Sequence, residues 1–286
     1  MSKTGVGSAV AALVLAAGLT GCGSDDGDGK GGDTQARPSA TPPARAVQDA
    51  YRRTVAADTA KIAVTSKVVA EGQAVTARGS GVAGLKDGTS RVTLTSRGAT
   101  VEQRVVDGVV YQKPSGGKHA SVPGGKTWAK IDLKRLAQRG SAGRSQVSDP
   151  AEPVRYLRNV GSEDVTRVGT QNLDGTRTTH YRVSVPLSAL SSGNAAQERE
   201  PRGQLGKSTL PVDLWLDEQG RLRQESVRLT LHPLAHRTPG RENTAVTSTT
   251  VLRLSDYGTD ARVSAPPARD TADVTGKVAG AGAADG

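Results

Sequence analysis

The chain has 286 residues, with 38 Lys and Arg against 28 Asp and Glu, a formal net charge of +10, one cysteine and no phenylalanine. A single cysteine excludes a disulfide framework within the chain. Val, Leu and Ile number 31, 21 and 2, which is close to the level below which a chain struggles to fill a core, so pattern rather than composition must decide the fold.

Lys3 and the amino terminus form a small positive region, and Val6 to Leu19 is almost wholly apolar or small. The stretch is shorter than the roughly 20 residues that span a bilayer, and Leu19-Thr20-Gly21-Cys22 follows it at once. This order resembles the lipobox of bacterial prolipoproteins. Residues 1–21 are therefore expected to be a removed signal peptide. The thiol of Cys22 would carry a diacylglyceryl group, and two or more acyl chains anchor a protein durably. The expected location is the extracytoplasmic face of the cell membrane, which leaves nucleic acid out as a partner.

Residues 22–43 are rich in Gly, Asp, Ser, Thr and Pro and read as a flexible tether. From Pro43, the spacing of Val47, Tyr51 and Val55 predicts a helix with one apolar stripe. Alternation then predicts strands at Ile62, Val64 and Val68, at Val92 and Leu94, and at Val101 and Val105. Asp107-Gly108 and Asp174-Gly175 have two-residue hairpin chemistry. Asp149-Pro150 predicts a short helix bearing Val154, Leu157 and Val160. Further strands are expected at Tyr181, Val183 and Val185, at Val212, Leu214 and Leu216, at Val227, Leu229 and Leu231, and at Leu252 with Leu254, with a turn over 217–220. One domain over 44–267 results, followed by a disordered tail over 268–286 with little to bury.

Several segments resemble the actinobacterial lipoprotein family typified by mycobacterial LppX and LprG. They are Tyr111-Gln112-Lys113-Pro114, Trp128-Ala129-Lys130-Ile131-Asp132, the Asp149-Pro150 segment, Val168-Gly169-Thr170 through Asp174-Gly175-Thr176 to His180-Tyr181, the run from Leu210 to Asp217, and Leu252 to Gly258. Their order, behind a lipobox, carries the resemblance over roughly residues 45 to 267. The resemblance implies an α+β fold: a strongly curved antiparallel half-barrel, as in the LolA and LolB carriers, covered by a few helices. It also implies a cavity holding acyl chains of a lipid or lipoglycan during transport through the envelope. If the strands alternate as read, Val92, Leu94, Val212, Leu214, Leu216, Val227, Leu229 and Leu231 share the concave face, opposite Val47 and Tyr51. The chain departs from the family in its lack of Phe and in a polar insertion over 191–207. The other reading is a ligand-free envelope lipoprotein whose surface engages a protein or wall polymer.

Catalytic motifs are weak. Gly125-Lys126-Thr127 lacks the earlier glycine of a phosphate-binding loop, Ala120 standing in its place. His232 and His236 are interrupted by Pro233 and have no third ligand in view. His180 alternates with Tyr181 and should point outward, and Trp128 and Trp215 read as packing residues. No enzyme activity, metal or cofactor is expected.

Overall fold

A computed structural model describes residues 42–116, 121–138, 157, 160–187, 206–231 and 245–281. The leader, Cys22, most of the tether, most of the Asp149-Pro150 segment including Val154, most of the polar insertion, and His232 and His236 lie outside these residues.

Helix α1 spans Pro43–Ala56, begins with Pro43 in its first turn, and buries Ala44, Val47, Ala50, Tyr51 and Thr54. Proline is suited to that position because its missing N–H would have had no partner within the helix. Five strands follow: β1 (Thr59–Ala70), β2 (Gln73–Gly84), β3 (Ser90–Ser96), β4 (Ala99–Val106) and β5 (Val109–Ser115). Then come β6 (Trp128–Asp132) and the short helix α2 (Leu133–Gln138), followed by β7 (Val165–Leu173), β8 (Thr176–Pro186), β9 (Thr209–Asp217), β10 (Leu222–Leu231) and β11 (Val246–Ser255). The chain closes with β12 (Thr271–Asp273) and α3 (Thr275–Ala281).

The twelve strands form one open, curved sheet in the order β12-β6-β5-β4-β3-β2-β1-β11-β10-β9-β8-β7. Every pairing is antiparallel except β12 on β6. Tight turns set the hairpins. Asp107-Gly108 and Asp174-Gly175 take φ of 52° and 74°, and 48° and 82°, as the hairpin reading required. Asp and Gly tolerate this left-handed backbone, whose twist matches that of the flanking strands.

Alternation along the strands makes two unlike faces. Register places Ile62 beside Gly81 and Leu254, Val64 beside Gly79 and Leu252, and Leu214 beside Tyr181 and Glu225, all on the concave side. Two inward glycines sit where β2 passes β3. A Cβ at Gly81 would lie 1.9 Å from the Arg91 carbonyl oxygen, and one at Gly79 would lie 2.5 Å from Leu94 Cδ2. Only hydrogen at these positions lets the strands close up on the inside of the curve.

The main core lies between α1 and the concave face. Val47, Ala50, Ala60, Val183, Val185, Val212, Leu214 and Leu216 are almost wholly buried there, together with Leu157 and Val160. Burying each larger side chain stabilises the fold by roughly 1.5 to 3 kcal/mol. A second, smaller core forms where Leu133 and Leu136 of α2 pack on Val105 and Val110, with Ile131 at its edge.

The expected disordered tail over 268–286 is corrected in its described part. After β11 the chain crosses the convex face, where the Ser264 carbonyl accepts a hydrogen bond from Arg104 Nη1 at 3.1 Å, and then adds β12 beside β6. Fully buried Thr275 accepts the Asp132 backbone N–H at 3.0 Å, and Asp273 pairs with Arg135 of α2 at 2.6 Å. Edge pairing and these specific bonds order a segment whose composition offers little apolar surface.

Candidate ligand-binding face

The apolar wall of the concave face begins under α1 and continues past it. At its deep end Val212, Leu214 and Leu216 alternate along β9 and are 1%, 0% and 2% exposed. Val47 and Tyr51 of α1 and Val92 of β3 join them in the same cluster. These six of the ten residues expected at the cavity come together in a close-packed interior. Leu94 and Val227 pack on its margin, only partly buried.

Leu229 and Leu231 fall outside that cluster. They follow Val227 on the inward side of β10 and are half-exposed. Register sets Leu229 beside Ser248 and Leu231 beside Val246 of β11. On β1, Val68 lies level with Ser248 and Val75 and is 36% exposed. The far corner of the concave face, formed by β10, β11, β1 and β2, thus presents inward apolar side chains that no described residue seals. Small hydroxyls edge it, with Ser66 and Thr250 sharing a hydrogen bond at 3.2 Å across β1 and β11.

The position of α1 decides how far the cover reaches. Its last turn is held by Thr54, whose Oγ1 accepts the Leu222 backbone N–H at 2.8 Å. Arg53 Nη1 donates to the Gln219 carbonyl oxygen at 3.0 Å, which ties the helix to the turn between β9 and β10. Leu222 is bonded on both sides, because its carbonyl oxygen accepts the Tyr257 hydroxyl. Burial, and then the nearby Asp217 carboxylate, push the Tyr257 pKa far above its usual value, so this hydroxyl stays a donor. Nearer the other end, Gln48 Nε2 donates to the Val160 carbonyl oxygen at 2.8 Å.

Two features escaped the sequence reading. Glu225 lies on the concave side between Leu214 and Leu252, where an apolar residue would fit the pattern. A register shift between Leu222 and Gln224 moves the alternation of β10 by one residue, and no local sequence signal marks it. Gln103 and Gln112 also face inward, joined by a hydrogen bond at 3.2 Å.

Of the remaining candidates, His180 lies on the convex side of the sheet, as expected, and Trp128 and Trp215, read as packing residues, lie on that side too. His180 stacks on Trp215 with ring centroids 4.4 Å apart, and its Nε2 lies 2.8 Å from Asp213 Oδ1. Trp128 is buried beneath Arg104, whose guanidinium lies 4.7 Å from the ring centroid. The Gly125-Lys126-Thr127 stretch begins on the last residue of the 3-10 turn Pro123–Gly125 and leads into β6.

No family model matches the chain. It is similar to a candidate lipoprotein of Streptomyces coelicolor, 29% identical with 92% of this chain and 91% of the relative covered. It is also similar to an uncharacterized 31.2 kDa protein of Streptomyces griseus, 29% identical over 81% of this chain and 79% of the relative. Among solved structures it is similar to the Mycobacterium tuberculosis lipoprotein LppX, at 16% identity and a TM-score of 0.44, covering 77% of this chain and 99% of that one. It is similar as well to LprF of Mycobacterium bovis, at 13% identity and a TM-score of 0.41, covering 78% and 96%. A LolA superfamily protein of Nitrosomonas europaea matches at 10% identity and a TM-score of 0.27, covering 80% and 97%.

Proposed function

We propose that the protein is a lipoprotein anchored through Cys22 on the outer side of the cell membrane, and that the open corner of its concave face takes the acyl chains of a lipid or lipoglycan. One observation carries the reading: inward apolar side chains continue along β10 and β1 beyond the cover of α1, at half-exposed Leu229, Leu231 and Val68. An apolar stripe on a concave wall, flanked by small hydroxyls, suits an acyl chain with a polar end. The lipobox at residues 19–22 supports the location. The Streptomyces coelicolor relative is itself named as a candidate lipoprotein. The deep residues Val212, Leu214 and Leu216 form the floor against which α1 is fixed, and the ligand would lie past them. Mass spectrometry of organic extracts from the purified full chain tests the reading, since it requires a noncovalently held acyl lipid near one per protein. The reading assigns no bond-making chemistry to the protein.

A further inference from the structure

The convex face is built differently from the concave one. Its outward positions on the central strands are largely hydroxyls: Thr65 on β1, Ser80 on β2, Thr93 and Thr95 on β3, with Ser226 and Thr249 beside them on β10 and β11. Cross-strand threonines pair through their hydroxyls, Thr95 with Thr100 at 3.3 Å and Thr230 with Thr247 at 3.4 Å.

Three exposed cations stand together at one end of this field, while Arg91 of β3 stands apart from them on the same face. Arg228 is level with Thr249, Thr249 is level with Lys67, and Lys67 is level with Thr76, two residues from Arg78 on the same side of β2. With strands about 4.8 Å apart, Arg228 and Lys67 are roughly 10 Å apart, and Arg78 extends the row obliquely. The acids of this face already have cationic partners: Glu102 pairs with Arg104, Asp213 with Arg182, and Asp217 with Arg221. Among the described residues, no ion pair involves Lys67, Arg78 or Arg228. The strap after β11 bonds at the opposite end of the strands, at Thr59 and Arg104, and leaves the row clear.

We propose that this row binds a linear, phosphate-bearing polymer laid across β10, β11, β1 and β2. Arg and Lys pair with phosphate oxygens, and threonine and serine hydroxyls donate to them. A single small anion is too short to reach all three cations, whereas a polymer meets them in succession. A bilayer surface fits less well. The large apolar residues most exposed among those described are Val68 on the concave side, Val168 at the bulge of edge strand β7, and Val278 on α3, and this face carries only the half-buried Val69, Val82 and Val251, short side chains set among hydroxyls and charges, to meet a hydrocarbon layer. The site is separate from the acyl-binding corner and stands whether or not that corner binds lipid.

Fluorescence anisotropy with labelled inorganic polyphosphate tests the proposal on the full chain carrying Cys22→Ser. Binding at low salt should weaken at least tenfold in Lys67→Gln/Arg78→Gln/Arg228→Gln and no more than about twofold in Arg45→Gln/Lys86→Gln/Lys277→Gln, which removes the same charge elsewhere. The two triples should melt alike. The single variants Arg78→Gln and Arg228→Gln, each expected to weaken binding two- to threefold, provide the reading if the first triple fails to fold. Equal losses in both triples would reduce the effect to bulk charge and overturn the proposal. So would absence of polyphosphate binding, or binding to phosphatidylglycerol vesicles alone through the same three residues.

Discussion

Thr54 Oγ1 accepts the buried backbone N–H of Leu222 at 2.8 Å, so the last turn of the covering helix is bonded to the first residue of a sheet strand. Thr54 is 5% exposed, which leaves no water to replace it. Removing the hydroxyl would leave a buried amide without an acceptor, a loss of about 1 to 3 kcal/mol. Thr54→Val should therefore lower the melting temperature by about 2 to 12 °C, taking 2 to 4 °C per kcal/mol for a domain of this size. Thr54→Ser should recover most of the loss. A Val variant that melts with the parent would mean that α1 is held by its apolar stripe alone.

The C-terminal segment should be structural. Deleting residues 271–286 removes β12 from the sheet edge, the buried Thr275 hydroxyl that accepts the Asp132 amide, and the Asp273 to Arg135 pair. Differential scanning calorimetry should show a fall of at least about 4 °C, or about 2 kcal/mol at the scaling above. An unchanged transition would restore the disordered tail expected from composition.

The same segment has an acid signature. Hydrogen bonds from the Thr275 side chain and backbone, with Arg135 nearby, hold the Asp273 carboxyl at about 2, below the usual 3.8. A lowered carboxylate pKa stabilises the fold above the unfolded value and loses that contribution as pH falls through the folded one. The difference in stability between the parent and Asp273→Asn should thus be full at pH 5 and shrink between about pH 4 and pH 2. Solvent screening keeps it below about 1 kcal/mol. A difference that stays constant down to pH 2 would rule out the ionised carboxylate as its source.

Much of this architecture is legible where alternation is strong. Val212, Leu214 and Leu216, or Tyr181, Val183 and Val185, mark both a strand and its buried face, and Asp107-Gly108 and Asp174-Gly175 mark their turns. Strand β2 is silent because Ala77, Gly79 and Gly81 hold its inward positions: curvature there demands small residues, and small residues erase the apolar signal. β12 is silent because three residues carry no period, and its order comes from Trp128 to Lys130 far away in sequence. The site was legible as a face and not as a depth. Leu214 and Leu229 share one side of the sheet, but only the placement of α1 separates the sealed position from the open one.

Anchoring rests on one atom. With the Cys22 sulfur removed, Cys22→Ala should remain an unprocessed precursor or appear in the medium, because the chain has no other cysteine to carry a diacylglyceryl group. Fractionation and immunoblotting after a high-salt wash read this directly. A variant that is cleaved normally and stays with the membrane would remove the lipobox from the proposal.

Occupancy of the open corner is measured most directly by quantifying lipid in organic extracts of the full chain carrying Cys22→Ser, beside Leu229→Trp and Leu214→Trp in that background. Leu214 is 0% exposed, so a larger ring there overpacks the core and should cost about 1 to 3 kcal/mol or more. Leu229 is half-exposed, and an indole there should fill space that the proposed acyl chain would occupy. The expected result is about one acyl lipid per parent protein, with most of it lost from a Leu229→Trp variant that melts within about 2 °C of the parent. A parent produced in its own host and recovered without lipid, together with a Leu229→Trp variant as destabilised as Leu214→Trp, would contradict acyl binding on the concave face.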